Sequence, residues 1–225
     1  MGFYRGPNIV TDGLVFAIDA GSTRSYPGSG TTVADLKGVN NGTLSNGVGF
    51  NTANGGFLEF DGVDDRLTLT SNVNLGNGNV AWTLSAWVKS TTTVNALSQG
   101  AIASNDGSGP VYSVMSINSG KMCYWTYQSG WVQNLGVATV NDGEWHLLTW
   151  VNYTNYTMDM YVDGSVDKSI TNSTSGNNNP IDAIGNSFGA IFDGDIAPVY
   201  IYQGKSLTAA EVLQNYNAQK SRFGL

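Results

Sequence analysis

A chain of 225 residues with 17 acids against 10 bases, only 12% of its residues charged and 29 glycines suits one turn-rich β domain whose polarity comes mainly from uncharged side chains. The net charge of −7 and scattered bases argue against nucleic acid or anionic membranes, which need clustered Lys and Arg, and nothing nears the roughly 18 apolar residues of a membrane span. Cys123 is the single cysteine, which excludes an intrachain disulfide and any zinc site built on several thiolates.

The first 12 residues, "MGFYRGPNIVTD", read as a polar, irregular arm without the basic-then-apolar order of a signal peptide, so synthesis without Sec-type export is expected. Strand signals then recur at short intervals between Gly, Asn and Asp. They are "GLVFAID" (13–19), "GFLEF" (56–60), "RLTLT" (66–70), "WTLSAWVK" (82–89), "YSVMSI" (112–117), "KMCYWTY" (121–127), "EWHLLTWVNY" (144–153), "TMDMYVDG" (157–164) and "APVYIYQ" (197–203). Residues 26–47 read as a long irregular segment, the kind that usually has its own packing or functional reason. In "WTLSAWVK" the alternation puts Trp82, Leu84, Ala86 and Val88 on one core-facing side. Helix signals gather at the end of the chain, where Thr208 and Glu211 have capping-box spacing and Leu207 and Val212 form a hydrophobic staple. A helix over about 209–219 follows, with Val212, Leu213 and Tyr216 at helical spacing. The whole chain reads as a single domain.

Four N-x-[ST] sequons, at Asn41, Asn152, Asn155 and Asn172, are incidental in so Asn- and Thr-rich a chain. His146 would have to carry any Ser-His-Asp or Cys-His mechanism, being the sole histidine. Its place on a strand after Trp145 favours a structural role, and Cys123, between Met122 and Tyr124 in an apolar run, reads as a packed thiol. Asp159 and Asp163 share a strand face, but i,i+4 spacing separates them by about 13 Å, too far for a retaining or inverting pair. No catalytic residue is therefore assigned. The strongest binding feature is aromatic: "YWTYQSGW" supplies Tyr124, Trp125, Tyr127 and Trp131, with Trp125 and Tyr127 on one face, Tyr124 on the other, and Gln128, Ser129 and Gln133 as polar neighbours. Flat rings beside amides and hydroxyls suit the stacking of sugars, while filling of the sandwich or of a protein interface is the competing use. "FDGVDDRLTL" places Asp61, Asp64 and Asp65 at a turn between two strands, either as acceptors for turn amides or as ligands of a cation.

The segments "FDGVDDRLTL", "WTLSAWVK", "DGEWHLLTW", "MDMYVDG" and "GAIFDGDIAPVYIYQGKSLTAAEV", in that order, resemble the laminin-G-like jelly rolls of the concanavalin A-like lectin and glucanase superfamily. The resemblance implies an all-β fold: a two-sheet antiparallel jelly-roll sandwich with one short C-terminal α-helix. It also implies a choice among cofactors and activities. Calcium is held at the sandwich rim in lectin and laminin-G relatives, which points to Asp61, Asp64 and Asp65, or to Asp193 and Asp195, although Ala197 stands where relatives commonly carry an acid. The E-x-D-x-E strand of laminarinase-like relatives is missing, since neither Glu59, Glu144 nor Glu211 begins such a motif.

"GPNIVTDGLVFAIDAGSTRSYPGSGTTVADLKG" together with "LTAAEVLQNYNAQKSRFGL" resembles versions of the domain in virion structural proteins of tailed bacteriophages, notably those of marine hosts. That resemblance implies a non-enzymatic capsid, neck or tail decoration, assembled in the host cytoplasm, oligomeric on the particle, and contacting other virion proteins and host surface glycans. The arm and "KSRFGL" would then dock onto the particle. A free carbohydrate-binding lectin module and a glucanase-like hydrolase are the alternatives.

Overall fold

The computed structural model describes residues 8–76, 79–93, 102–103, 113–127, 131–171, 180–187 and 190–225. In chain order the strands are β1 (Leu14–Ile18), β2 (Thr32–Val33), β3 (Gly42–Ser45), β4 (Gly49–Asn51), β5 (Phe57–Asp61), β6 (Arg66–Asn74), β7 (Trp82–Lys89), β8 (Ile102–Ala103), β9 (Ser113–Asn118), β10 (Lys121–Tyr127), β11 (Trp131–Thr139), β12 (His146–Asn152), β13 (Thr157–Val162), β14 (Ser165–Thr171), β15 (Pro180–Ile184), β16 (Asn186–Ser187), β17 (Ala190–Ile191) and β18 (Asp193–Gln203). Helix α1 (Ala209–Gln219) and a 3-10 turn at Lys220–Phe223 complete the chain.

Two antiparallel sheets form the expected sandwich. The first runs β14-β13-β12-β7-β18-β5-β4, with β1 also beside β18; the second runs β11-β10-β9-β8-β15-β6-β3-β2. Between them lies a core that includes Phe16, Leu67, Trp82, Leu84, Met115, Tyr124, Leu148, Trp150 and Ile201. Strand alternation delivers it: Trp82, Leu84, Ala86 and Val88 all point into this core. Pro198, inside a central strand where a missing N–H should break the ladder, is tolerated because the register of β18 against β7 shifts between Ile196 and Val199.

The opposite face of the first sheet is also buried. Trp87, Trp145, Leu147 and Phe57 form a cluster with Phe223, while Tyr200, Tyr202, Val151 and Tyr161 form another with Val10, Leu207 and Val212. Helix α1 covers this face, fixed at its start by the capping box, in which the Glu211 amide donates to Thr208 Oγ1 at 3.2 Å and the Thr208 amide to Glu211 Oε2 at 2.8 Å. Thr83 and Ser85, the polar alternates of β7, are buried there and satisfied. The Leu207 amide donates to Thr83 Oγ1, and Ser85 and Thr149 share a hydroxyl–hydroxyl bond of 2.8 Å.

Both chain ends, the segments expected to dock on a particle, are packed against the domain itself where they are described. The Phe223 ring stacks on Trp87 at 4.2 Å, and Arg222 Nη1 donates to both carboxylate oxygens of Asp19 at 2.9 Å while its other nitrogens bond the carbonyls of Asn54 and Gly56. At the other end, the Val10 amide donates to Asn215 Oδ1 and Gln214 donates to the Asn8 carbonyl. A buried aromatic and a satisfied guanidinium leave residues 8–12 and 220–225 in use by the domain itself; residues 1–7 lie outside the described segments.

Residues 26–47 hold β2 and β3 and are organised by Asp35. This buried carboxylate accepts from the amides of Ala17, Lys37, Val39 and Asn40 at 2.9 to 3.2 Å. A second carboxylate joins the sheets at their margin: Asp167 of β14 accepts from the amides of Val137 and Ala138 on β11 at 2.9 and 2.7 Å. Gly136 makes room for it, because a Cβ there would collide with Asp167 Oδ2.

His146 is a structural clamp, as its position in the sequence suggested. Nδ1 lies 2.7 Å from Asp163 Oδ2 and Nε2 lies 3.1 Å from Asp142 Oδ1, tying the loop before β12 to the turn after β13. Burial alone would lower the imidazole pKa, but the bonds and charges of Asp163 and Asp142 outweigh it and raise the value. A raised histidine contributes stability that is full below its unfolded pKa near 6.5 and disappears as pH rises through the folded value.

Replacing Phe223 with Ala is expected to cost about 3 kcal/mol, read from the midpoint of urea unfolding. His146→Gln is expected to cost about 1 kcal/mol at pH 5.5, with the difference from wild type shrinking by pH 9. Thermal melts at the two pH values check the sign.

Candidate functional site

Strand β10 carries the aromatic run. Tyr124 pairs in register with Met115 and Asn134 and points inward, fully buried with its ring 6.4 Å from Trp82. It belongs to the core and is removed from the stacking surface, since a ring with no exposed area cannot meet a sugar. Trp125 points to the outer face of the second sheet and is half-buried, opposite Val114 on one neighbour and Gln133 on the other. Tyr127 and Trp131 oppose each other in register, two residues farther along each strand from the Trp125–Gln133 pair, which places both positions on the same sheet face as Trp125. Their side chains, and Gln128 and Ser129, lie outside the described residues.

On that face Val114, Ser116, Cys123 and Ala183 are buried, so Trp125 stands at the margin of a covered zone. The Cys123 thiol is pushed up to about 12 by burial, which keeps it protonated and unreactive at neutral pH.

The turn joining β5 to β6 brings Asp61, Asp64 and Asp65 together, with one carboxylate oxygen from each within 4.8 Å of the others. Local bonds shape it: the Asp61 amide donates to Asp65 Oδ2 at 2.9 Å, the Val63 amide to Asp61 Oδ1 at 2.8 Å, and Asn46 Nδ2 to the Asp64 carbonyl at 2.8 Å. Asp61 and Asp64 are exposed, whereas Asp65 is 2% exposed and its Oδ1 has no hydrogen-bond partner among the described residues. Burial, then the charges of Asp61 and Asp64, hold its carboxyl above the usual range against the stabilising Asp61 amide. Two ligands of one calcium ion stand up to roughly 5 Å apart at normal Ca–O lengths. The all-oxygen set and the orphaned buried oxygen therefore fit a hard divalent cation.

Asp193 and Asp195 do not join this group. Thr92 Oγ1 donates to Asp193 at 2.7 Å, while Asp195 lies 3.9 Å from Lys89 and is raised to about 6, chiefly by burial.

Four of the acids weighed for hydrolysis have structural partners, and the fifth, Glu144, is exposed. Asp159 accepts from Tyr153 and Ser169, Asp163 from the Leu147 amide besides His146, Glu59 from Asn51, and Glu211 from its capping box. The buried oxygen of Asp65 had no signal in the sequence, because its burial depends on segments distant along the chain.

No curated protein sequence matches the chain. Among solved structures, it is similar to the binding domain of Paraclostridial Mosquitocidal Protein 1, with 15% identity, a TM-score of 0.64, and coverage of 91% of this chain and 52% of that one. It is also similar to the receptor binding domain of botulinum neurotoxin C/D mosaic serotype, with 14% identity, a TM-score of 0.68, and coverage of 92% and 51%. The chain thus spans about half the length of these toxin fragments. Domain 4 of AbnA, a GH43 extracellular arabinanase from Geobacillus stearothermophilus solved in complex with arabinotriose, matches over 90% of this chain and 98% of that one, with 19% identity and a TM-score of 0.65. At these identities the structures speak for the fold alone; the two toxin structures are described as binding domains. The family profile Laminin_G_3 matches residues 61–213, more than half of the sequence, and the chain accordingly belongs to the concanavalin A-like lectin/glucanases superfamily.

Proposed function

We propose that this chain is a non-enzymatic, lectin-like binding domain of a bacteriophage virion, presenting a sugar-binding surface toward the host envelope from a capsid, neck or tail position. Trp125 carries the reading: a half-buried indole on the outer face of a sheet, paired with the amide of Gln133 and next to the register pair Tyr127 and Trp131. Indole and carboxamide together supply the stacking face and the hydrogen-bonding edge that a pyranose or furanose ring uses. The AbnA domain with arabinotriose supports a sugar ligand in this fold, and the toxin domains support attachment to a target surface.

The virion context draws on the likeness of the two end segments to phage structural proteins. In that setting the partners are other virion proteins and host glycans, the location is the particle, and repeated copies turn weak contacts into tight ones by avidity. A carbohydrate-binding module working outside a particle is the second reading, favoured by the near end-to-end match to AbnA domain 4. Asp61, Asp64 and Asp65 would hold calcium, which neutralises the three acids and the orphaned Asp65 oxygen and stiffens the β5–β6 turn.

Two measurements address these readings. Particles purified from an infected host should contain the polypeptide by mass spectrometry, and the isolated domain should bind at least one glycan on an array, with about tenfold weaker binding for Trp125→Ala. Absence from particles moves the protein to the second reading, and an array without any binding rejects both. For the cation, millimolar calcium should raise the melting temperature by about 5 °C over chelator, and Asp64→Asn should remove most of that increment; equal melting in calcium and chelator rejects the site.

A further inference from the structure

Loop 20–28, the strand β4 and the 3-10 turn at Ala53–Gly55 enclose a cleft of about 260 Å³ lined by Tyr26, Pro27, Gly28, Phe50, Thr23 and Thr52, with small residues completing the wall. It lies at the lateral margin where β4 and β2 end their sheets, whereas β10 stands next to the opposite margin. Six strand spacings separate β10 from β2, roughly 30 Å. The cleft is therefore distinct from the Trp125 face.

The loop is held in shape by its own hydrogen bonds. The Asp19 amide donates to Ser25 Oγ at 3.1 Å, Ser25 Oγ donates to the Ala34 carbonyl at 2.7 Å, and the amides of Ser25 and Tyr26 both donate to the Ser22 carbonyl at 2.8 Å. Asp19 also accepts from the Gly21 amide at 2.9 Å and from Arg222. The Tyr26 hydroxyl donates to the Gly30 carbonyl at 2.9 Å, and its ring meets Phe50 edge to face at 5.2 Å. Gly28 adopts φ 91, and a Cβ there would come within 3.3 Å of the Phe50 ring, so glycine keeps that ring uncrowded. A wall ordered in advance lowers the entropic cost of taking a ligand.

The lining chemistry selects the ligand. Apart from the Tyr26 phenol, already bonded, no ionisable side chain lines the cleft among the described residues. The exposed Thr23 and Thr52 hydroxyls form no side-chain bond among those residues and remain able to donate and accept. An aromatic and a proline wall, two hydroxyls and bare glycine backbone suit a small, uncharged, hydroxyl-rich ring. We propose that this cleft is a second saccharide-binding site, taking one or two terminal rings of a neutral glycan, with the sugar's C–H face on Phe50 and Pro27 and its hydroxyls on Thr23 and Thr52. The ligand class rests on the glycan-binding reading above; the location does not.

The test is a ¹H–¹⁵N NMR titration of the full chain with cellotriose, xylotriose and arabinotriose, and with 3′-sialyllactose as an anionic comparison. Amides within 20–28 and 50–55 are expected to shift with at least one neutral trisaccharide. Thr52→Arg and Thr23→Trp, which fill the cleft from exposed positions, should weaken that binding tenfold or more, while Trp125→Ala leaves it unchanged. Shifts confined to the Val114, Trp125 and Gln133 amides would overturn the second site and leave the glycan reading standing. A response to 3′-sialyllactose alone would overturn the neutral ligand class, and silence with every probe would overturn both readings.

Discussion

The stacking of Phe223 on Trp87 is the contact on which the rest of the architecture leans. A sheet in a sandwich needs one apolar face, yet here the central strands β7 and β18 carry large apolar residues on both. Without the C-terminal segment, Trp87, Trp145 and Leu147 would meet water, and at about 25 cal/mol per Å² that exposure is comparable with the whole stability of an ordinary domain. The same segment brings Arg222 to Asp19, and Asp19 in turn orders loop 20–28. A hydrophobic contact at one end of the chain therefore fixes a surface feature near the other.

Much of this was legible in the sequence, and what was not has a physical reason. Strand β7 was read with its true bounds because alternation over eight residues has one solution, and α1 because Thr208 and Glu211 leave little freedom about where a helix starts. Strands β14 and β15 gave no such signal: β14 is exposed at most positions, with Ile170 its one buried residue, so no period-two pattern could form. β3 and β4 are too short to show one. The final "RFGL" reads as a short anchored tail and is one, but its partner Trp87 lies far upstream and no periodicity in the tail itself could name it.

The candidate sites divide along the same line. Parity alone separated Tyr124 from Trp125, because facing is a local property of a strand. Proximity in sequence likewise put Asp61, Asp64 and Asp65 together. The burial of Asp65 depends on the surrounding fold, and the cleft beside Phe50 joins two segments separated by β2 and β3. Neither could be read from neighbours along the chain.

The carboxylate of Asp167 acquires a meaning of its own wherever many copies of the domain crowd together. Among the described residues β11 is an edge strand, nine residues long with Val132 and Val137 exposed, and an edge of that kind templates strand addition from the next molecule. By occupying the amides of Val137 and Ala138, Asp167 places a negative charge on the very groups an incoming strand would have to pair with. That carboxylate thus works against edge-to-edge pairing along this part of β11.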